Sequence, residues 1–284
     1  MIEMIKSKIL AKRSPDFPLL GGEVNYLSFS PKRSGQHVVF DWIGRNCPTL
    51  FHVNNCYVQR ERVRYRVFPK TFRTIMWRDG SSIDSGVGNP QSFESDLSRN
   101  APFSRVLYSF EDLLPVDELS KNLPSHTSAK IIVILRDVYN WLASSMFHSG
   151  SGRERLHKRL ILHKEICQYV LSRSEEDVVF ISYNDFISSA EYRERLAGKL
   201  GIVDLRNNQI ERIPDFGGGS SFDQLKLPNS VGNESPFLNR WRSLAGNAFA
   251  IELLDSNLVR TLNLELFNVD FMDEIKNGKV SNGC

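Results

Sequence analysis

The chain has 284 residues, 41% of them hydrophobic, with 36 Lys and Arg against 33 Asp and Glu for a net charge of +3. That apolar content supports one substantial core, and so small a charge imbalance excludes a surface that binds nucleic acid or membrane indiscriminately. Four cysteines, Cys47, Cys56, Cys167 and Cys284, form no C-x-x-C pair and no Cys/His spacing, which excludes a zinc scaffold and points to reduced thiols in a cytoplasmic setting.

In chain order, Met1 to Lys12 interleaves Glu3, Lys6, Lys8 and Lys12 with apolar residues, so it lacks the apolar stretch of a signal peptide, and no later run is apolar enough to span a bilayer. Residues 24 to 44 read as a strand ending at Phe29-Ser30, a basic turn Pro31-Lys32-Arg33-Ser34-Gly35, and a helix from Gln36-His37. A strand, a small-residue basic turn and a helix start make an anion site: first-turn N–H groups have no intrahelical acceptor, and the helix dipole favours negative charge there. Lys32 and Arg33 supply charge, Ser34 and Gly35 permit close approach, and Gln36 and His37 can donate. The same residues also suit a plain strand-turn-helix junction with solvated basic side chains. The turn does not match G-x-x-x-x-G-K-[ST], since its one glycine is followed by Gln36.

Beyond it come His52, a basic run from Arg60 to Arg73, and a Gly-, Ser- and Asp-rich stretch from Arg78 to Pro90, expected as a mobile loop within about 78–100. Val106 to Pro115 precedes a buried parallel strand, Lys130 to Leu135, which ends in Arg136-Asp137 before a helix over Val138 to Phe147. Arg153 to Arg159 is a second basic cluster, by default a solvated face. Asp177 to Phe186 is another apolar strand, leading into a charged helix from Glu191 to Leu200 that ends at Gly201. A polar stretch from Gly217 covers a second expected loop at 217–235, and the chain continues through Ser235-Pro236-Phe237 to Arg240-Trp241-Arg242. No linker or repeat divides the chain, so a single domain over 1–284 is expected.

Arg33-Ser34-Gly35-Gln36-His37 resembles the 5′-phosphosulfate loop of the sulfotransferases, usually written P-K-S-G-T-T-W, with R-S-G-S-S and P-R-S-G-N-H in other branches. Arg33 then takes the place of the family's Lys, with Lys32 one position upstream. Arg136 and Ser144 match the family's 3′-phosphate site, an Arg at a strand end and a Ser eight residues on, although Val138 replaces the usual Pro. Tyr183-Asn184-Asp185-Phe186 resembles the Tyr-Glu-Asp-Leu segment near the adenine, and Ser220-Ser221-Phe222 resembles the Thr-Ser-Phe segment of the adenine pocket. Arg240-Trp241-Arg242 keeps only a basic-Trp-basic remnant of another 3′-phosphate contact.

The resemblance implies a P-loop NTPase-like α/β fold, three layers α/β/α around a central mainly parallel sheet. It implies 3′-phosphoadenosine-5′-phosphosulfate (PAPS) as co-substrate, PAP as product, no metal, and a small-molecule or glycan acceptor. Arg33, assisted by Lys32, would stabilise the leaving phosphate oxygen. The general base is less direct, because Phe110 falls where cytosolic members carry a His. Glu111 beside it is the first candidate, His52 the second and His37 the third, and each also has a structural reading as a helix-end acid, a packed residue or a cap. Two alternatives stay open: a P-loop kinase-like phosphotransferase, and a nucleotide-binding relative that has lost its base.

Overall fold

The computed structural model describes residues 24–59, 62–65, 73–87, 104–115, 128–148, 152–210 and 236–278. Ser220 and Phe222, and the loop positions 88–100 and 217–235, lie outside them.

The chain runs β1 (Val24–Ser30), α1 (Gln36–Arg45), β2 (Thr49–Gln59), β3 (Arg62–Tyr65), β4 (Arg73–Arg78), β5 (Ser81–Val87), β6 (Arg105–Glu111) and β7 (Ser128–Leu135). It continues through α2 (Val138–His148), α3 (Arg153–Leu171), β8 (Val178–Ser182), α4 (Tyr183–Ser188) and α5 (Ala190–Leu200). Two 3₁₀ turns (Pro236–Leu238, Arg240–Leu244) precede α6 (Ala248–Leu254), α7 (Asn257–Phe267) and α8 (Met272–Asn277). The strands form one sheet in the order β5-β4-β2-β6-β1-β7-β8, with β3 on β2. β2, β6, β1, β7 and β8 pair in parallel, whereas β3, β4 and β5 are antiparallel additions at one side.

The near-continuous apolar runs of β1, β6 and β7 follow from burial on both faces. Leu27, Phe29, Val106, Tyr108, Phe110, Ile131 and Val133 point to one face, where Ile166, Cys167 and Val170 of α3 and Leu262 and Phe267 of α7 cover them. Tyr26, Leu107, Ile132 and Ile134 point to the other, beneath Val39, Phe40 and Ile43 of α1 and Leu196 and Leu200 of α5. The architecture is therefore α/β with three layers. A separate cluster joins Trp141 and Leu142 of α2 to Trp241, Leu244, Leu253 and Met272. No helix of the described residues is long and apolar enough to cross a membrane.

The stretch opening at Arg78 is not a loop over its first ten residues. Asp79 and Gly80 both have positive φ (49° and 82°), as a two-residue type I′ hairpin turn requires, and β5 returns antiparallel on β4 with Arg78 opposite Ser81. The Gly and Asp that composition assigns to flexibility serve that turn.

Helix α1 packs onto β4 so closely that a Cβ at Gly44 would lie 2.2 Å from the ring of Trp77, a fully buried side chain. Gly44→Ala is expected to cost about 1–3 kcal/mol through overpacking, read as a lower urea midpoint at unchanged slope. A midpoint equal to that of the wild type would contradict this packing.

Candidate functional site

The turn between β1 and α1 holds two residues in left-handed conformation, Arg33 (φ 76°) and Gly35 (φ 83°). For Arg33 this costs about 1–2 kcal/mol, and the turn is strapped in compensation. Ser34 N–H donates to Pro31 O at 3.2 Å, Lys32 N–H donates to the Asp112 carboxylate at 2.8 Å, and Trp141 Nε1 donates to Lys32 O at 2.8 Å. At Gly35 no side chain fits, since a Cβ would lie 2.1 Å from the Tyr183 ring. The helix therefore starts directly beneath that ring, with Gly35 as its N-cap and no side-chain cap. Ser34 Oγ is fully buried there without a hydrogen-bond partner among the described residues.

Glu111 closes β6 opposite Ser30 in the register. Because side chains alternate along a strand, Phe110 points to the opposite face, stacked on Phe29 at 4.9 Å, and Glu111 points to the α1 side. There its carboxylate accepts from Gln36 Nε2 at 2.5 Å and lies 3.8 Å from Lys32 Nζ and 3.9 Å from His37 Nε2. Burial pushes the Glu111 carboxyl above the usual carboxylate range, Lys32, Arg33 and Arg159 pull it back, and Asp112 adds to the rise. Asp112 pairs with Arg159 of α3 at 3.4 Å. Arg33 is half-buried; dehydration lowers its pKa, Glu111 opposes this, and Arg159 and Arg240 add like-charge crowding.

The third part sits where β7 passes into α2. Arg136 is buried, its guanidinium stacked 5.3 Å from the Tyr183 ring centre and donating to Phe237 O. Asp137 does not pair with it but caps α2, accepting from Asn140 N–H at 2.9 Å and Asn140 Nδ2 at 2.9 Å. Asn140 in turn donates to Leu238 O at 2.9 Å and accepts from Trp241 N–H at 3.0 Å, which docks residues 236–244 on the helix. Through that docking the buried Arg240 reaches Ser144 Oγ at 3.2 Å. Behind the site, His163 Nε2 holds Arg136 O at 3.0 Å, and its Nδ1 lies 3.5 Å from the Cys167 thiol.

Of the residues expected from sequence, Lys32, Arg33, Ser34, Gly35, Gln36, His37 and Glu111 come together at the ends of β1 and β6. Arg136, Ser144, Tyr183 and Arg240 come together beside them. Two expectations change. The side chain of Gln36 is not available to an anion, since its Oε1 accepts from Ser30 Oγ and its Nε2 donates to Glu111. His52 is a core residue, fully buried between Phe40 and Trp77 and bonded to Ser109 Oγ at 3.0 Å. Burial drives its pKa well below 6.5, with His37 adding to the fall. Arg242 stacks on Trp241 at 5.7 Å. Sequence reading passes over Ser30, Asp112, Asn140, Trp141, Arg159 and His163. The Asp137/Asn140 spacing is a legible capping signal, whereas Arg159 is indistinguishable from its solvated basic neighbours. Among the described residues no group of three or more His, Cys, Asp or Glu is placed to hold a metal ion.

No protein-family model and no curated protein matches the chain. Among solved structures, it is similar to the sulfotransferase domain from the Synechococcus PCC 7002 olefin synthase, at 12% identity over 91% of this chain and 99% of that one, with a TM-score of 0.47. It is also similar to mouse sulfotransferase SULT7A1 complexed with PAP, at 17% identity over 89% of this chain and 94% of that one, with a TM-score of 0.42.

The buried His163 sets an acid limit. Dehydration lowers its pKa from 6.5 to about 4, so between those values the unfolded chain binds a proton that the native ring refuses. Stability is complete above pH 6.5 and falls as pH drops toward 4, by up to about 3 kcal/mol from this residue. His163→Gln, which keeps a donor for Arg136 O, is expected to flatten the pH dependence of the urea midpoint between pH 7 and 4.5. An equally steep loss in the variant would contradict the assignment.

Proposed function

We propose that the chain binds PAPS across the carboxyl ends of β1 and β7 and transfers its sulfuryl group to a hydroxyl or amine of a small-molecule or glycan acceptor. The observation that carries this reading is that two separate groups of anion-binding character flank one partly buried carboxylate: the turn 31–35 at the start of α1, and Arg136, Ser144 and Arg240 gathered around the N-terminal part of α2. A nucleotide phosphorylated at both 3′ and 5′ positions presents two anions of that kind. The crevice lies where β1 is flanked by β6 on one side and β7 on the other, the place where open α/β sheets take ligands.

In this reading the first-turn N–H groups of α1, Ser34 Oγ and Arg33 hold the 5′-phosphosulfate, with Lys32 at its exposed edge. Arg136, Ser144 and Arg240 hold the 3′-phosphate, and Tyr183 supports both Gly35 and Arg136. The acceptor oxygen or nitrogen attacks sulfur in line, the bond from sulfur to the 5′-phosphate oxygen breaks, and the acceptor proton passes to Glu111. Arg33 and the helix start stabilise charge as it grows on the departing phosphate. Glu111 answers the question posed by Phe110, because the strand pleat sends the apolar residue into the core and the acid toward the loop. That favours an enzyme over a relative without a base.

Calorimetric titration with PAP and with ATP tests the donor site. PAP is expected to bind well and ATP weakly, with Arg136→Ala lowering PAP affinity at least about 30-fold; no binding of PAP would sink the proposal. Glu111→Gln is expected to keep PAP binding while lowering transfer of labelled sulfate to a panel of phenols and sugars by about 10²–10⁴-fold. Transfer at the wild-type rate would remove Glu111 from the base role.

A further inference from the structure

We infer that Gln36 is a positioning residue for Glu111, holding its carboxylate through a side-chain amide that Ser30 orients. The inference rests on the reading of Glu111 as the base, and it gives Gln36 a task other than holding the donor. Both Gln36 and Ser30 are buried, at 3% and 0% exposure, so neither side chain has water as an alternative partner. Ser30 Oγ donates to Gln36 Oε1. With its oxygen engaged, the amide presents Nε2 to Glu111, at 2.5 Å from Oε1. Pairing of Ser30 with Glu111 in the register of β1 and β6, and the position of Gln36 in the first turn of α1, fix the ends of this chain of contacts on three different elements.

The geometry has a direct chemical consequence. An amide N–H aimed at a carboxylate favours its ionised form, the form that accepts a proton. The other groups facing Glu111 are Lys32 and Arg33 from the turn, His37 from α1, Asp112 from its own strand end and Arg159 from α3. Lys32 and His37 stand 3.8 and 3.9 Å away, whereas Gln36 is in hydrogen-bond contact. It also aims the carboxylate, because Oε1 is held by the amide while Oε2 lies on the Lys32 side.

The test follows the Glu111 carboxyl directly, without any acceptor. Full-length protein labelled with ¹³C at glutamate carboxyls is titrated by NMR, with Glu111→Gln supplying the assignment. Gln36→Leu is expected to raise the Glu111 midpoint by about one pH unit or more, and Ser30→Ala to raise it by less. Gln36→Glu keeps the size and an acceptor for Ser30, so it guards against misfolding of the leucine variant. It is expected to raise the midpoint of the carboxyl pair strongly through like-charge repulsion. Midpoints unchanged or lowered in the Gln36 variants would overturn the inference and leave Gln36 as packing for the turn, whatever its effect on stability. PAP binding by the wild-type protein is measured in parallel, so failure of the donor-site reading is seen separately from the behaviour of Glu111.

Discussion

Because β1 is hydrogen-bonded along both edges, in parallel to β6 and to β7, its carboxyl end cannot move without breaking two ladders at once. The register of those ladders brings Ser30 level with Glu111 and sets Arg136 just beyond the paired end of β7. Everything else at the site is hung from this row of strand ends. The turn 31–35 leaves β1 there, Asp112 takes hold of its backbone from β6, and Trp141 takes hold from α2. A turn that contains a left-handed arginine is thus held by contacts from two other elements, which is how a locally unfavourable conformation persists. Tyr183 closes the arrangement from the start of α4, where its ring occupies the space a side chain at Gly35 would need.

The strength of the contacts around Glu111 can be ranked by exposure. Lys32 is 42% exposed at its side chain and 3.8 Å from the carboxylate, so its pairing is worth no more than about 1 kcal/mol. A hydrogen bond to a charged group is worth about 1.5–3 kcal/mol, and Gln36 makes a partly buried one. The amide and the lysine thus act on different oxygens of the carboxylate, Oε1 and Oε2. Arg159 and Arg240 crowd Arg33, and like charges brought together at a half-buried position are relieved when an anion sits among them.

The layers of the fold were legible because buried parallel strands write themselves as unbroken apolar runs, such as Ile131 to Leu135, and because Gly35 and Gly201 punctuate helices at a start and an end. Arg33 and Arg136 stand out in the sequence as cations just past strand ends, whereas Ser144 is singled out only by the resemblance. What escaped depends on contacts remote in sequence. Gln36 reads as a donor for an anion, and only the approach of β6, 75 residues on, shows that its amide is already used. His52 carries no local sign that Phe40 and Trp77 will enclose it. The hairpin at Asp79-Gly80 is obscured for a different reason: the surrounding Gly, Ser and Asp content reads as flexibility, although the Asp-Gly pair states that turn directly.

The pairing of burial with positive charge also bears on which kind of base such a site can carry. On the proposed reading, holding a polyanionic donor requires cations, and keeping water from the transferred group requires dehydration. For a histidine both conditions act in one direction, since burial and neighbouring cations each disfavour the imidazolium. His52, enclosed in the core between Phe40 and Trp77, shows the force of burial, which is the main cause that drives its pKa down. For a carboxylate the two oppose each other: burial raises its pKa while Lys32, Arg33 and Arg159 lower it. The cations around Glu111 therefore offset part of the effect of its burial, whereas around a histidine they would add to it. In a dehydrated, cation-lined setting a carboxylate at the end of β6 is thus electrostatically better placed than an imidazole would be.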